Sequence, residues 1–268
     1  MYRHKNVNSE QAREHTGQPR YMEVHHHSRH HEKRKWNHYF WEFFMLFLAV
    51  FCGMLAEYQL EHYIEHQREK KYIRSMVRDT ELDLASLRSA FNGRVQQIKY
   101  FDSLMLLLQS GVNNRNSEIY YYARHITRPA VFRYHDRTIQ QLKNSGNLRL
   151  IRNQDAADSI TVYDNEKIKS LLVQQEGETD QRRFISNFLA GKIFDPFAWH
   201  SMTDSSGTIR RLADNPAIMT TDPSILNEFT FKVVTLRGTL AFTNRMITET
   251  MHSATNLLEM LKKEYHLE

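Results

Sequence analysis

The chain has 268 residues, 41% hydrophobic and 25% charged, a composition that folds rather than one that stays disordered. Nine glycines and five prolines are few for this length, which favours long helices over a turn-rich sheet protein. Of the net charge of +5, four units come from the first 38 residues, where eight Lys/Arg meet four Asp/Glu; the near-neutral remainder argues against a nucleic-acid-binding main body, and a single cysteine, Cys52, excludes an intramolecular disulfide.

Residues 1–38 are polar, lack hydrophobic periodicity and read as a disordered basic tail. Within it His25, His26, His27, His30 and His31 stand close enough in sequence to share a transition-metal ion, although no Cys or acidic ligand gives them a defined geometry. The alternative is a solvated basic segment that lies against anionic lipid head groups.

Residues 39–60 read as a transmembrane helix. Their only charges are Glu42 and Glu57, and Phe43 to Ala56 are apolar or Gly throughout. A hydrocarbon core needs about 20 helical residues, so the full segment fits and its inner part alone does not. Trp36, Tyr39 and Trp41 at one end and Tyr58 and Tyr63 at the other match the aromatic belts of two membrane interfaces. A buried core helix would show a polar face, and a signal peptide would end in small residues rather than Glu-Tyr-Gln-Leu-Glu. Lys33, Arg34 and Lys35 abut the N-terminal end while Glu57, Glu61 and Glu65 follow the other, which predicts a cytoplasmic N-terminus and an exported body.

Residues 61–268 read as one helical-bundle domain. Ile73, Met76, Val77, Thr80, Leu84, Leu87, Phe91, Val95, Ile98, Phe101, Met105 and Leu108 recur at helical spacing, and no proline interrupts 37–110, so the helix that holds the anchor is expected to continue to Ser110-Gly111. The stripe Glu57, Glu61, Glu65 and Glu69 reads as a solvated face. A shorter helix starts at Ser117 and ends before Pro129. Another stops at Gly146, which suits the left-handed position after a helix, and Asn153 caps the next, from Asp155 to about Ile193, with Gly177 a candidate break or kink. Residues 194–222 form the longest irregular segment, pinned to the bundle by Phe194, Phe197 and Trp199. Asp222-Pro223 opens a final helix of about 40 residues. The fold class is therefore all-α: one transmembrane helix continuing into an antiparallel bundle of long helices.

The sequence carries no GxGxxG, P-loop, HExxH, GxSxG or CxxC pattern, and His62 and His66 lack a third metal ligand nearby. Neither an enzyme nor a cofactor is expected. The stretch REKKYIRSMVRDTELDLASL and the later TIQQLKNSGNLRLIRNQDAADSITVYDN, through Tyr72, Ile73, Met76, Asp83, Leu84, Leu142, Ser145, Gly146, Leu148, Ile151, Asn153 and Tyr163, resemble a group of bacterial single-pass inner-membrane proteins with a helical C-terminal body. The resemblance spans roughly residues 38–175 and implies architecture and an inner-membrane location, not a reaction.

Two functional readings remain. The first is a non-catalytic interaction or scaffolding subunit, whose partners are the lipid bilayer and either another protein or a second copy joined through the long helices; it predicts an exposed apolar patch. The second is an exported sensor that holds a small anion or metal, with Arg124, Arg128, Arg133 and Arg137 as a candidate anion site. A one-pass sensor normally has an output domain across the membrane, and a 38-residue tail is short for one.

Overall fold

A computed structural model describes residues 36–111 and 114–267. Seven α-helices follow in order among the described residues: α1 (Trp36–Gln109), α2 (Asn116–Ile126), α3 (Arg137–Asn144), α4 (Gln154–Val162), α5 (Lys169–Lys192), α6 (Pro196–Ser201) and α7 (Pro223–Glu264). A 3-10 turn (Asn147–Leu150) precedes α4, and a π-helical turn (Tyr163–Ile168) joins α4 to α5. A lone antiparallel bridge, Thr203 to Ile209, is the extent of β-pairing among these residues. The chain is all-α, as its low content of helix breakers predicts.

The structure divides into two compact units, up to Ala56 and from Glu57. In the first, the described residues are helical and their side chains are exposed, with Phe43, Phe47 and Phe51 stacked ring on ring at 6.4 and 5.8 Å. The tail, with His25, His26, His27, His30, His31, Lys33, Arg34 and Lys35, lies outside the described residues.

In the second unit, cross-helix partners fix the directions of the three long helices. Arg94 meets Asn244, Asp102 meets Arg237 and Glu81 meets Lys262, so α7 runs antiparallel to α1. Arg94 meets Glu178 and Gln97 meets Arg182, so α5 runs with α1. Two apolar clusters result. One gathers Ile73, Met76 and Leu87 with Ile160, Leu171, Ile247 and Leu258; the other gathers Phe101 and Leu104 with Tyr120, Leu189, Phe194, Phe229 and Leu240.

Between α2 and α3 the chain crosses α1 as an extended strap, and its backbone groups have no ladder to join. Side chains satisfy them instead. The Phe132 N–H donates to Gln175 Oε1 at 2.7 Å, the His135 N–H to Asp83 Oδ1 at 2.8 Å, and the Arg152 N–H, further along, to Glu69 Oε1 at 2.8 Å. Asp79 accepts from the Thr138 N–H at 3.0 Å and so caps α3 from a different helix, Asp136 making no side-chain cap of its own. Gly93 lets the strap come close: a Cβ there would lie 3.2 Å from Ala130 Cβ.

Helix ends follow the sequence reading. Gly146 takes φ +66 after α3, Asn153 accepts the Ala156 N–H at 3.0 Å, and Asp222 caps α7 through the Ser224 N–H at 2.8 Å, with Pro223 following. Three expectations are corrected. Gly177 does not break α5, which continues through it from Lys169 to Lys192 because one glycine costs a helix interior only about 1 kcal/mol; the irregularity falls at Tyr163–Ile168, where an extra residue in the turn buries both Tyr163 and Asp164. Glu69 is not part of a solvated stripe but buried, holding Arg152 and Tyr265. Phe194 and Trp199 do pin the segment after α5, but Phe197 is 84% exposed, because the Asp195-capped turn of α6 points it outward.

Valine at position 93 is expected to destabilise the body by about 1–3 kcal/mol through overpacking against Ala130, whereas Gly177→Ala, in open space on a helix, is expected to stabilise it by up to about 1 kcal/mol. Chemical denaturation of the full chain in detergent, followed by circular dichroism, measures both.

Candidate functional site

The rotation of α5 and α7 about their own axes is set by a buried polar layer between the two apolar clusters. Arg94 donates from Nε to Asn244 Oδ1 at 2.8 Å and from Nη1 to the Ala130 carbonyl at 2.9 Å, and pairs with Glu178. Arg182 donates to Glu178 Oε1 at 2.8 Å and to Gln97 Oε1 at 3.0 Å, and reaches the Ile126 and Arg128 carbonyls. The layer holds two cations and one anion. The excess positive charge lies against carbonyls at the C-terminal end of α2, the negative end of that helix dipole. Burial alone would push the Glu178 carboxyl up, but Arg182 and Arg94 outweigh it and hold it below the usual carboxylate range. Burial lowers the Arg182 guanidinium, with Glu178 opposing that shift.

With Glu178 and Arg182 turned inward, about 3.6 residues per turn puts Val173, Gly177 and Phe184 on the opposite side of α5. Asn244, Leu240 and Leu236 face inward on α7, so Phe231, Val234, Gly238 and Phe242 face outward. Val173, Phe184 and Phe231 are 69%, 71% and 72% exposed. A shallow cavity of about 230 Å³ runs between the two helices at one end of this face, lined by Gln181, Phe184, Ile185, Phe231, Thr235 and Leu236. The Lys232 ammonium sits 5.2 Å from the Phe188 ring at its edge. An open cleft with apolar walls, exposed aromatic corners and few convergent polar groups suits a side chain or helix of another protein better than a small polar ligand.

The residues singled out from the sequence fall elsewhere. Trp36, Tyr39, Trp41, Tyr58 and Tyr63 are exposed on α1, and an 18-residue window of that helix reaches a mean hydropathy of 1.9 with none of it buried; this is one helix long and apolar enough to cross a membrane. The four arginines are divided between different partners. Arg124 stacks 4.8 Å over Trp199 and donates to Thr203 Oγ1 at 3.2 Å, and Arg128 donates to the Gly207 carbonyl at 2.6 Å. Arg137 pairs with Asp79 at 3.2 Å, and the backbone of Arg133 is bound to Ser86. His62 accepts or shares a proton with Arg152 at 2.9 Å and His66 lies 3.2 Å from Glu69; no group of three His, Cys, Asp or Glu side chains with metal-holding geometry occurs among the described residues.

The sequence reading missed the polar layer and the buried acids. Asp83 accepts from the His135 N–H and from Tyr163 Oη at 3.1 Å, burial pushing its carboxyl up while those bonds pull it back. Asp164 pairs with Lys143 and accepts from Tyr134 at 2.7 Å; burial followed by these carboxylates pushes both tyrosine hydroxyls well above their ordinary value. The available signal was the phase of the charges: Arg94, Glu178 and Arg182 each share a helical face with the apolar core residues.

Comparison with family models, with curated proteins and with solved structures gave no match to this chain.

Glu178→Gln would leave two buried guanidiniums without a counter-charge, and is expected to destabilise the body by about 3–5 kcal/mol at neutral pH. Because the folded pKa of Glu178 is depressed, its contribution is present above the unfolded value of about 4.3 and is lost as pH falls through the lower folded value. The gap between wild type and E178Q in denaturation midpoint should therefore shrink on acidification below about pH 4, which a pH series of the same denaturation experiment measures.

Proposed function

We propose that this chain is a single-pass membrane protein whose helical body is a non-catalytic interaction or scaffolding subunit, with the apolar face of α5 and α7 as its contact surface. The anchor is the segment at 39–60, with its aromatic flanks Trp36, Tyr39, Trp41, Tyr58 and Tyr63. The basic residues Lys33, Arg34 and Lys35 next to it favour a cytoplasmic N-terminus, and the resemblance of residues 38–175 to bacterial inner-membrane proteins favours that membrane, with the body on its exported side.

One observation carries the reading. Glu178, Arg182 and Asn244 turn inward while Phe184 of α5 and Phe231 of α7 stand exposed side by side, where a self-sufficient bundle would place polar side chains. Arg124, Arg128 and Arg137 already spend their guanidiniums on protein partners, Arg124 and Arg128 on the 203–207 loop and Arg137 on Asp79, which weighs against the anion-sensor reading.

The test is purification of the full chain from native membranes in mild detergent, with F184E and F231E in parallel. Wild type is expected to resist alkaline extraction from membranes and to elute as a stoichiometric complex, with another protein or with itself. Each substitution is expected to weaken that complex at least about tenfold while leaving helicity and the thermal midpoint unchanged, since truncating a central aromatic contact is typically worth 2 kcal/mol or more (roughly). A wild-type protein that elutes as a lone monomer, or a complex indifferent to both substitutions, would overturn the reading.

A further inference from the structure

We propose that the occupant of this face is a second copy of the chain, with α7 packed in parallel and in register against α7 of its partner and crossing it at Gly238. The inference rests on the interaction-subunit reading and names its partner.

The outward side of α7 has its own design. Phe231, Val234, Gly238 and Phe242 form a stripe diametrically opposite the buried Leu236, Leu240 and Ile247. Val234, Gly238 and Phe242 stand four residues apart, the ridge along which helices most often cross. Glycine weakens the middle of a helix relative to alanine, and Gly238 has no reason for it inside the molecule, since a Cβ there would meet nothing within 4 Å. Its missing side chain opens a notch toward the outside, where another helix can approach closely. Gly177 on α5 has the same open surroundings, so the floor of the face is low and its aromatic corners are high.

Charge on the same stripe selects the occupant. The Arg245 guanidinium lies 5.5 Å from the Phe242 ring, and one turn further on stands Glu249. These two make no ion pair with each other or with any other described residue, although they are four residues apart. In a parallel, in-register pair, Arg245 of each copy lies within a turn of Glu249 of the other, so the two-fold axis forms the bond twice. The apolar residues then meet their own kind: Val234 on Val234, Phe242 on Phe242. An antiparallel pair about Gly238 would instead set Arg245 against Phe231, a turn from a Glu228 already paired with Lys232 of its own helix, and leave Glu249 beside Asn227, with no cation.

Tethering favours the same arrangement. Two copies anchored in one bilayer with the same topology are related by a two-fold axis along the membrane normal, so helices equivalent by symmetry share one sense along that axis. Anchoring in a plane also raises the effective concentration of one copy for another, so a modest interface suffices.

The experiment uses the full chain in a Cys52→Ser background, which removes the one native thiol. Single cysteines replace Val234, Gly238 and Phe242, with F197C as an exposed control on α6. Each protein is reconstituted in phosphatidylethanolamine–phosphatidylglycerol vesicles and oxidised with copper phenanthroline. Disulfide dimers are expected to form at least tenfold faster at all three α7 positions than in the control, and G238L is expected to cut the dimer fraction tenfold in light scattering without loss of helicity. Crosslinking of G238C alone would show antiparallel pairing and overturn the proposal, as would rates equal to the control. If crosslinking fails while F231E still releases a co-purifying protein, the second copy is wrong and the scaffold reading stands; if F231E also changes nothing, both fall.

Discussion

The pairing of Glu178 with Arg94 and Arg182 is the constraint on which the rest of the body depends. Apolar contacts are tolerant of rotation and sliding, because one leucine fills space much as another does. A buried guanidinium is not, since each unmatched N–H or uncompensated charge is costly away from water. By drawing donors or acceptors from α1, α2, α5, α7 and the strap into one layer, these three side chains fix the register of every long helix against its neighbours. The layer also divides the interior, leaving an apolar cluster on each side of it. Such a layer adds less to stability than to uniqueness: a slip of one turn would strand two cations in hydrocarbon.

The same economy governs α1. On most long helices Asp and Glu face water, yet Glu69, Asp79 and Asp83 face inward here and bind backbone N–H groups of chain that crosses them. A carboxylate on a rigid helix is a good partner for extended backbone, since it accepts from two directions and its position is fixed by the helix under it. Asp79 caps α3 in this way and meets Arg137 with its other oxygen, while Asp83 holds the strap and Tyr163 together. The strap is therefore templated by α1 rather than by its own sequence, and the π-helical turn at Tyr163–Ile168 is where the α4–α5 rod deforms to deliver Tyr163 and Asp164 to that template.

This explains which parts were legible from the residues alone. The run of α1, the Gly146 turn, the Asn153 cap and the Asp222-Pro223 start of α7 are local, set by periodicity and capping chemistry within a few residues, and they could be read directly. The buried acids and the polar layer join residues up to 196 positions apart, and a charged side chain in isolation reads as solvent-facing. Glu69 reads as part of the solvated stripe of Glu57, Glu61 and Glu65 for that reason, since only its distant partners Arg152 and Tyr265 distinguish it. Gly177 reads as a candidate break or kink because a glycine inside a helix is a local weakness, and only the fold shows that it faces open space. The apolar face was foreseen as a requirement of the scaffold reading but not located, because Phe184 and Phe231 look like core residues until the inward phase of Glu178 and Asn244 is known.

The two kinds of glycine in the long helices show how inward and outward demands differ. Gly93 sits where the strap presses on α1, and its lack of a side chain is consumed inside the fold by Ala130. Gly238 and Gly177 have open space in front of them, so nothing within the body is gained in return for the helix stability they give up. A face that leaves Phe184, Phe231 and Phe242 exposed and carries glycine at its centre is poorly optimised as the wall of a free-standing bundle. It is well arranged as half of an interface, in which the close approach of a second backbone turns the glycine from a loss into a contact.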